Sequence, residues 1–476
     1  MKKTLTILLS LLLVLPASAS QKETEKKDSP VKEHLQNHFK LYGFIRNFFV
    51  YDSRDSKAGT GDLFYYLPLD NKWNTADVNN PAREDLNASP NFRFLALTSR
   101  VAFDVSGYYI NNLHFGAKVE GDFYSGLAAA KTANGLSGNT SVSGTAQARL
   151  RQAYVTLTWK DLPMRNDKTA QMGLKIGQAW HPMAADMPHV FSLEAGAPFG
   201  PFSRTPQVTM DAALGEHWIL SAAAIWQQQY QSAGPDGASA AYMKYACTPE
   251  VYAAVTLKGK EVLFRGGVDV VSIKPRNIGK NADGLTVHVK DRKTSVLGYL
   301  YGQYNHKLLS IKAKTTFGEG GEHMNLMSGY AVVDKTDPTN WKYASMLNSS
   351  SWLSLCYGKK WQGVLYLGYV KNFGLADKVA PGYIESSDVY FCGNGFSNIN
   401  QMYRINPQLL YNLGKFTLGL EYQWTAVQYG DYRKGEYTIN GKQVELTSGL
   451  NALALATENL HWVGNNRVNM MVKFTF

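Results

Sequence analysis

Period-2 alternation of apolar and polar residues, sustained from Leu41 to the last residue, is the feature that most restricts what this 476-residue chain can fold into. In NLHFGAKVEGDFY, Leu113, Phe115, Ala117, Val119 and Phe123 share one parity, and His114, Lys118, Glu120 and Asp122 the other. FLALTSRVAFDV sets Leu95, Leu97, Val101, Phe103 and Val105 against Thr98, Arg100 and Asp104. The same holds in EVYAAVTLK, EVLFRGGVDV, LLSIKAKTTF, FTLGLEYQW and the final VNMMVKFTF. Side chains of a strand point alternately to its two faces, whereas a helix repeats every ~3.6 residues, so this chain is all-β.

The breaks between these segments narrow the class further. Short breaks fall near 107–111, 161–170, 214–216, 258–260, 305–307, 359–360 and 413–414. Long ones fall near 52–90, 125–146, 181–205, 231–245, 274–293, 319–350, 374–400 and 430–465, and the two kinds alternate strictly. Seven short and eight long connections separate 16 strands. That is the pattern of a 16-stranded antiparallel transmembrane β-barrel with short periplasmic turns and long extracellular loops. A soluble sandwich or propeller would also alternate, but it does not account for the alternating loop lengths. Trp159, Trp180, Trp226, Tyr230, Trp361, Tyr411 and Trp424 lie near predicted strand ends, where interfacial girdles sit. In a bilayer every backbone polar group must pair, which only a closed sheet achieves. The last strand therefore pairs with the first, KLYGFIRNFFVY, and a chain that stops mid-strand needs no tail.

The N-terminus agrees with export. Lys2 and Lys3 precede an apolar run from Leu5 to Leu15, followed by Pro16-Ala17-Ser18-Ala19, a signal-peptide pattern with cleavage expected after Ala19. The run is about half the roughly 20 residues a membrane helix needs. Residues 20–39 are charged and poor in apolar side chains and read as a solvated periplasmic arm, leaving 40–476 as the barrel. Three cysteines, Cys247, Cys356 and Cys392, make no disulfide framework. The formal charge of +11 favours anionic solutes or lipid surfaces, since an exported protein has little access to nucleic acid.

A barrel of 16 strands is wide enough for a water-filled lumen, so its polar parity faces a channel. Basic lumen positions are Arg100, Lys118, Lys175, Arg265, Lys312, Lys314, Arg404, Arg467 and Lys473, and acidic ones Asp104, Glu120, Asp122, Glu250, Asp269 and Glu421. The basic excess favours anions, although cross-strand ion pairs would account for some of it. Arg149 and Arg151 are also expected to line the channel, although they share parity with Val155 and Leu157, which requires either a bulge or a place above the lipid. Arg46 lies in a strand apolar on both parities and is not oriented by the pattern. The 181–205 connection is rich in Met, Phe, Pro and Gly, which gain nothing in water. Folded into the barrel it would narrow the pore, with Asp186, Phe191, Glu194 and Arg204 as constriction candidates; packing on a neighbouring subunit is the alternative.

ARLRQAYVTL followed by LKIGQAWHPM resembles the phosphate-selective and DcaP-like families of Gram-negative porins through Arg149, Arg151, Ala153 and Tyr154 and then Gly177, Gln178 and Trp180. The Tyr-rich, long-looped style also looks like porins of Bacteroidetes. The resemblance implies the outer membrane of a Gram-negative bacterium, a homotrimer, and passive diffusion of small hydrophilic solutes, often anions. Contacts with outer-membrane lipid and lipopolysaccharide go with it. Terminal Phe474 and Phe476 resemble the signal read by the outer-membrane assembly machinery. Some DcaP-like members carry an N-terminal coiled coil, but residues 20–39 lack heptads.

Enzymatic and cofactor signatures are missing: there is no HExxH, CxxC, Walker loop or G-x-S-x-G, and no cofactor is expected. His181 and His189, eight apart on a loop, are weak metal-ligand evidence, and no metal site is expected. A barrel phospholipase would need Ser and His on the lipid-facing wall. An adhesin or receptor acting through the long loops stays open, while an energy-coupled transporter of ~22 strands does not fit this length.

Overall fold

The computed structural model describes residues 38–59, 64–96, 98–124, 131–132, 135–136, 147–164, 169–377, 383–384, 388–392, 398–431, 435–439, 442–446, 450–451 and 455–476. The expected signal peptide and nearly all of the expected arm lie outside them. Alternating side chains produce long strands: β1 is Phe39–Asp52, and β2 is split into Asn91–Leu95 and Arg100–Ile110. There follow β3 Leu113–Tyr124, β4 Gln147–Pro163, β5 Thr169–Trp180, β6 Arg204–Leu214, β7 Trp218–Ile225 and β8 Glu250–Lys258. The rest are β9 Val262–Ile273, β10 Lys293–His306, β11 Leu309–Glu319, β12 Lys342–Gly358, β13 Trp361–Leu375, β14 Ile399–Leu413, β15 Phe416–Asp431 and β16 Glu458–Thr475.

Each strand pairs antiparallel with its neighbours in sequence, and β16 returns to β1, so among the described residues 16 strands close into a barrel. The seam runs in register from Phe44↔Thr475 to Asp52↔Arg467, and Gly43 and Phe476 exchange backbone hydrogen bonds of 3.2 and 3.1 Å. Gly43 is required there, because a Cβ would overlap the Arg100 carbonyl oxygen and come within 2.8 Å of the Phe476 ring. Closure leaves no unpaired edge.

Apolar side chains of the outer parity form an exposed belt that includes Phe94, Phe264, Leu300, Phe317 and Leu420. The same side chains would be a solubility fault in water and are what a bilayer requires. Trp361 and Tyr411 pack at 4.6 Å on this face near a short turn, and Trp424 donates to the Tyr403 hydroxyl at 3.3 Å. Two of the expected girdle residues are elsewhere. Trp180, at the end of β5, and Tyr230, in the connection after β7, both turn inward onto Phe202, because they face an inserted loop rather than lipid.

The ambiguous arginines are settled by a bulge. Between β3 and β4 the register shifts from Glu120↔Gln152 to Gly121↔Leu150, which leaves Arg151 without an opposite residue. The extra residue moves Arg149 and Arg151 to the inner parity while Leu150 and Val155 stay outside.

Candidate functional site: the inner wall and its inserted loop

Residues 181–203, between β5 and β6, fold into the barrel. The apolar content of the segment explains why: Met183, Phe191, Phe199 and Phe202 are buried with Phe48, Tyr66 and Tyr366 in one cluster. Removing such side chains from water is favourable by about 1.5–3 kcal/mol each. Two further segments join them, Phe64–Pro68 and the stretch through Met324, Leu326 and Met327. The long-loop end of the lumen is thus packed like a core.

Polar contacts decide where the loop lies. Lys314 Nζ, on β11, donates to the carbonyls of Met183 (2.6 Å) and Asp186 (2.8 Å). Asp186 pairs with Arg265 on β9. The His189 backbone N–H donates to Ser354 Oγ on β12 at 2.9 Å, and its Nε2 meets Ser310 Oγ on β11 at 2.9 Å. The Phe191 N–H donates to Gln408 on β14, and Tyr366 on β13 donates to the Gly196 carbonyl. Glu194 reaches Arg404 on β14 and Arg467 on β16, and Arg404 also donates to the Ala197 carbonyl at 3.2 Å. The loop is laid along the wall from β9 to β16 and reaches Phe48 of β1 through Phe191. On β1 to β5 the inner side chains that stay partly exposed include Tyr42, Arg46, Arg100, Asp104, Lys118, Arg149 and Lys175.

This division sorts the residues expected to line a channel. Arg404, Lys314, Glu421 and Arg467 face inward but lie beneath the inserted segments, with side chains no more than 5% exposed where they form ion pairs. Glu250 and Asp269 are likewise inward and sealed from water. All six lie on the parity that the alternation turns inward, and the inserted segments cover them, so they are buried rather than at the solvent surface. Arg204 is not a loop residue either, since it opens β6 and is buried against Trp180 and Gln229. Phe191 and Glu194 are held in the loop by the wall rather than presented to a lumen. Asp186, Arg265 and Lys312 remain partly exposed.

On the uncovered wall, charge and aromatic rings interleave. Arg149 forms a two-pronged pair with Asp122 (2.8 and 2.9 Å). Arg151 bridges Glu120 (2.7 Å) and Asp122 (2.8 Å), and Arg100 lies 3.8 Å from Glu120. Arg46 and Arg100 share the Phe44 ring at 4.8 and 5.1 Å, and Arg151 and Arg204 share the Trp180 ring at 5.6 and 5.0 Å. Five guanidinium groups therefore stand around two carboxylates. Nearer the short turns, Lys118 pairs with Asp104 at 3.1 Å and contacts Tyr42, and Lys175 lies over Tyr154 at 5.4 Å. Arg46 and Lys473 are direct register partners across the closure seam.

Arg46 was not oriented by the sequence pattern because its strand is apolar on both parities. The split of β2 explains its place: the Arg46 N–H donates to Ser99 Oγ at 3.2 Å and its Nε to Thr98 Oγ1 at 3.3 Å, in the gap between the two pieces. His181 and His189 do not meet. His189 goes to the β11–β12 wall, and His181 goes to Glu250 and Asp269 together with His323, a residue that no local motif connects to them.

No protein-family model matches the chain, and no curated protein matches it in sequence. Among solved structures, the outer membrane channel DcaP of Acinetobacter baumannii is similar over 92% of this chain and 97% of that one, at 16% identity and a TM-score of 0.55. The anion-selective porin from Comamonas acidovorans is similar over 92% and 99%, at 10% identity and a TM-score of 0.49. The first likeness establishes a porin-type barrel fold and nothing finer, and the second carries no further argument. An apolar belt on such a barrel places the chain in the outer membrane of a Gram-negative bacterium.

Proposed function

We propose that the chain is a porin, passing small hydrophilic solutes by passive diffusion with a preference for anions, and that it works as a homotrimer of the DcaP-like or phosphate-selective kind, in its Bacteroidetes-type variant. The uncovered β1–β5 wall carries this reading. Five guanidinium groups against two carboxylates leave a positive surplus of three, with Arg46, Arg100 and Arg149 partly exposed and Arg151 and Arg204, at the start of β6, buried behind them with Glu120 and Asp122. Lys473 adds a sixth positive charge directly opposite Arg46, an arrangement that costs stability unless something else compensates. A passing anion supplies that compensation. Low-dielectric walls concentrate the field of these groups and raise the local anion concentration. Lys118 and Lys175 continue the charged track, with Asp104 holding Lys118 and with Glu120 and Asp122 holding the arginines in place rather than cancelling them. Asp186, Arg265 and Lys312 stand on the opposite side at the inserted loop.

Planar-bilayer recording under a salt gradient tests the proposal. The expected result is open channels closing in three steps, with a reversal potential displaced toward the chloride potential. Replacing Arg46, Arg100 and Lys473 together by Gln should move that potential toward zero. A bilayer that stays closed would sink the porin reading, and cation selectivity in the unmodified protein would sink the anion preference.

A further inference from the structure

Apart from the basic wall, four ionisable side chains meet in an enclosed space beside the root of the inserted loop. His181 follows β5, Glu250 opens β8, Asp269 lies in β9, and His323 sits in the short turn Glu322–Met324. None is more than 2% exposed. His181 Nε2 lies 2.5 Å from Glu250 Oε1 and 3.7 Å from Asp269 Oδ1. His323 Nε2 lies 3.2 Å from Glu250 Oε1 and 3.6 Å from Asp269 Oδ2. Among the described residues no Lys or Arg forms an ion pair with either carboxylate, and Lys293, in the same region, is taken by Glu322 at 3.1 Å. Burying charge without a partner is costly, so two sealed carboxylates call for a cation.

The hydrogen bonding is incomplete in a directional way. Glu250 Oε2, Asp269 Oδ1 and both ring nitrogens of His323 have no well-aligned partner. His181 differs. Its Nδ1 accepts the Met183 N–H at 3.2 Å, so in the neutral ring Nε2 carries the proton and donates to Glu250. That tautomer fits a supporting role behind a ligand rather than ligation itself.

We propose that His323 Nε2, Glu250 and Asp269 bind a divalent transition-metal cation of the zinc class, with His181 orienting Glu250. One imidazole nitrogen and two carboxylates suit such a borderline ion, with water completing the shell, and a double positive charge offsets both carboxylates. The bound ion ties β8 and β9 to the 320–341 connection. Through His181 it also steadies the point at which the inserted loop leaves β5. The sequence distance between the ligands explains why no spacing motif announces them.

Full-length protein in detergent, stripped with a chelator, provides the test. Titration with zinc chloride, followed by calorimetry, should show one ion per chain, and cobalt should give visible d–d absorption at the same stoichiometry. His323→Ala and Asp269→Asn should abolish that site. His181→Gln should bind about tenfold more weakly, the lower end of the effect of losing a supporting partner. His288→Ala, at an exposed histidine, should leave uptake unchanged. Heat-modifiable electrophoretic mobility reports whether each variant is folded, and the cobalt spectrum of the unmodified protein needs no variant. Absence of stoichiometric zinc and cobalt uptake by the unmodified protein would overturn the site and leave protonated histidines as the counter-charges. Uptake that survives in folded His323→Ala would overturn it as well. Metal uptake and ion selectivity are read separately, so neither result decides the other.

Discussion

Arg467 Nη1 lies 2.9 Å from Glu194 Oε1, joining the strand that closes the barrel to the loop that fills it. Arg467 also holds Asp52 of β1 at 2.8 Å, and Arg404 stands 3.5 Å from the same Glu194 oxygen. Breaking one partner of a buried pair strands the other charge, at about 3–5 kcal/mol. Glu194→Gln is therefore expected to lower stability by roughly 3 kcal/mol. Thermal unfolding of the detergent-solubilised barrel measures this, and single-channel records should become noisier as the loop loosens. Unchanged unfolding and quiet records would show that the pair does not hold the loop.

Lys314→Met removes the two hydrogen bonds that fix the Met183 and Asp186 carbonyls but keeps much of the side chain's apolar length. The first part of the loop should detach from β11 while the Glu194 anchor stays. The expected readout is a larger and more variable single-channel conductance with little change in strand content by circular dichroism. A conductance identical to that of the unmodified protein would count against the tether.

Gly43→Ala tests the seam. The added methyl meets the Arg100 carbonyl and the Phe476 ring, where the last residue pairs with the first strand. Refolding into detergent should yield a smaller fraction of heat-modifiable barrel. Phe476→Ala combined with Gly43→Ala relieves the ring contact but not the carbonyl overlap, so recovery should be partial. Complete recovery would place the whole defect at the ring.

Acid should loosen the loop through His189. Burial, with Lys312 nearby, lowers its pKa from 6.5 to about 4. The neutral ring is the folded form, so the unfolded chain binds more protons between these values and stability falls as pH drops from 6.5 toward 4. Channel closures should become more frequent across that window. His189→Gln, which can still meet Ser310 but does not titrate, should flatten this part of the profile. A profile that is the same in the variant would assign the effect elsewhere.

The strand count, the antiparallel order and the inner parity of Arg100, Lys118, Lys175 and Asp104 were legible because each depends on neighbours within one strand or on the nearest connection. Period 2 is a local property, and turn residues mark their own positions. For 181–205 the sequence carried the expectation of an inward fold, from apolar side chains that water would reject. The bulge at Arg151 was not legible, since parity shows that the register must slip somewhere but not which residue gives way.

By itself, the sequence determined an all-β barrel with an apolar outside, a charged inside and a loop too greasy to stay in water. Only the tertiary structure decided which inner charges meet solvent. The reason is geometric. Glu194, Arg404 and Arg467 are brought together by barrel closure across hundreds of residues, as are Glu250, Asp269 and His323 by adjacent strands and a distant turn. Alternation places a side chain on a face, and the course of one inserted loop settles whether that face is a channel wall or a core.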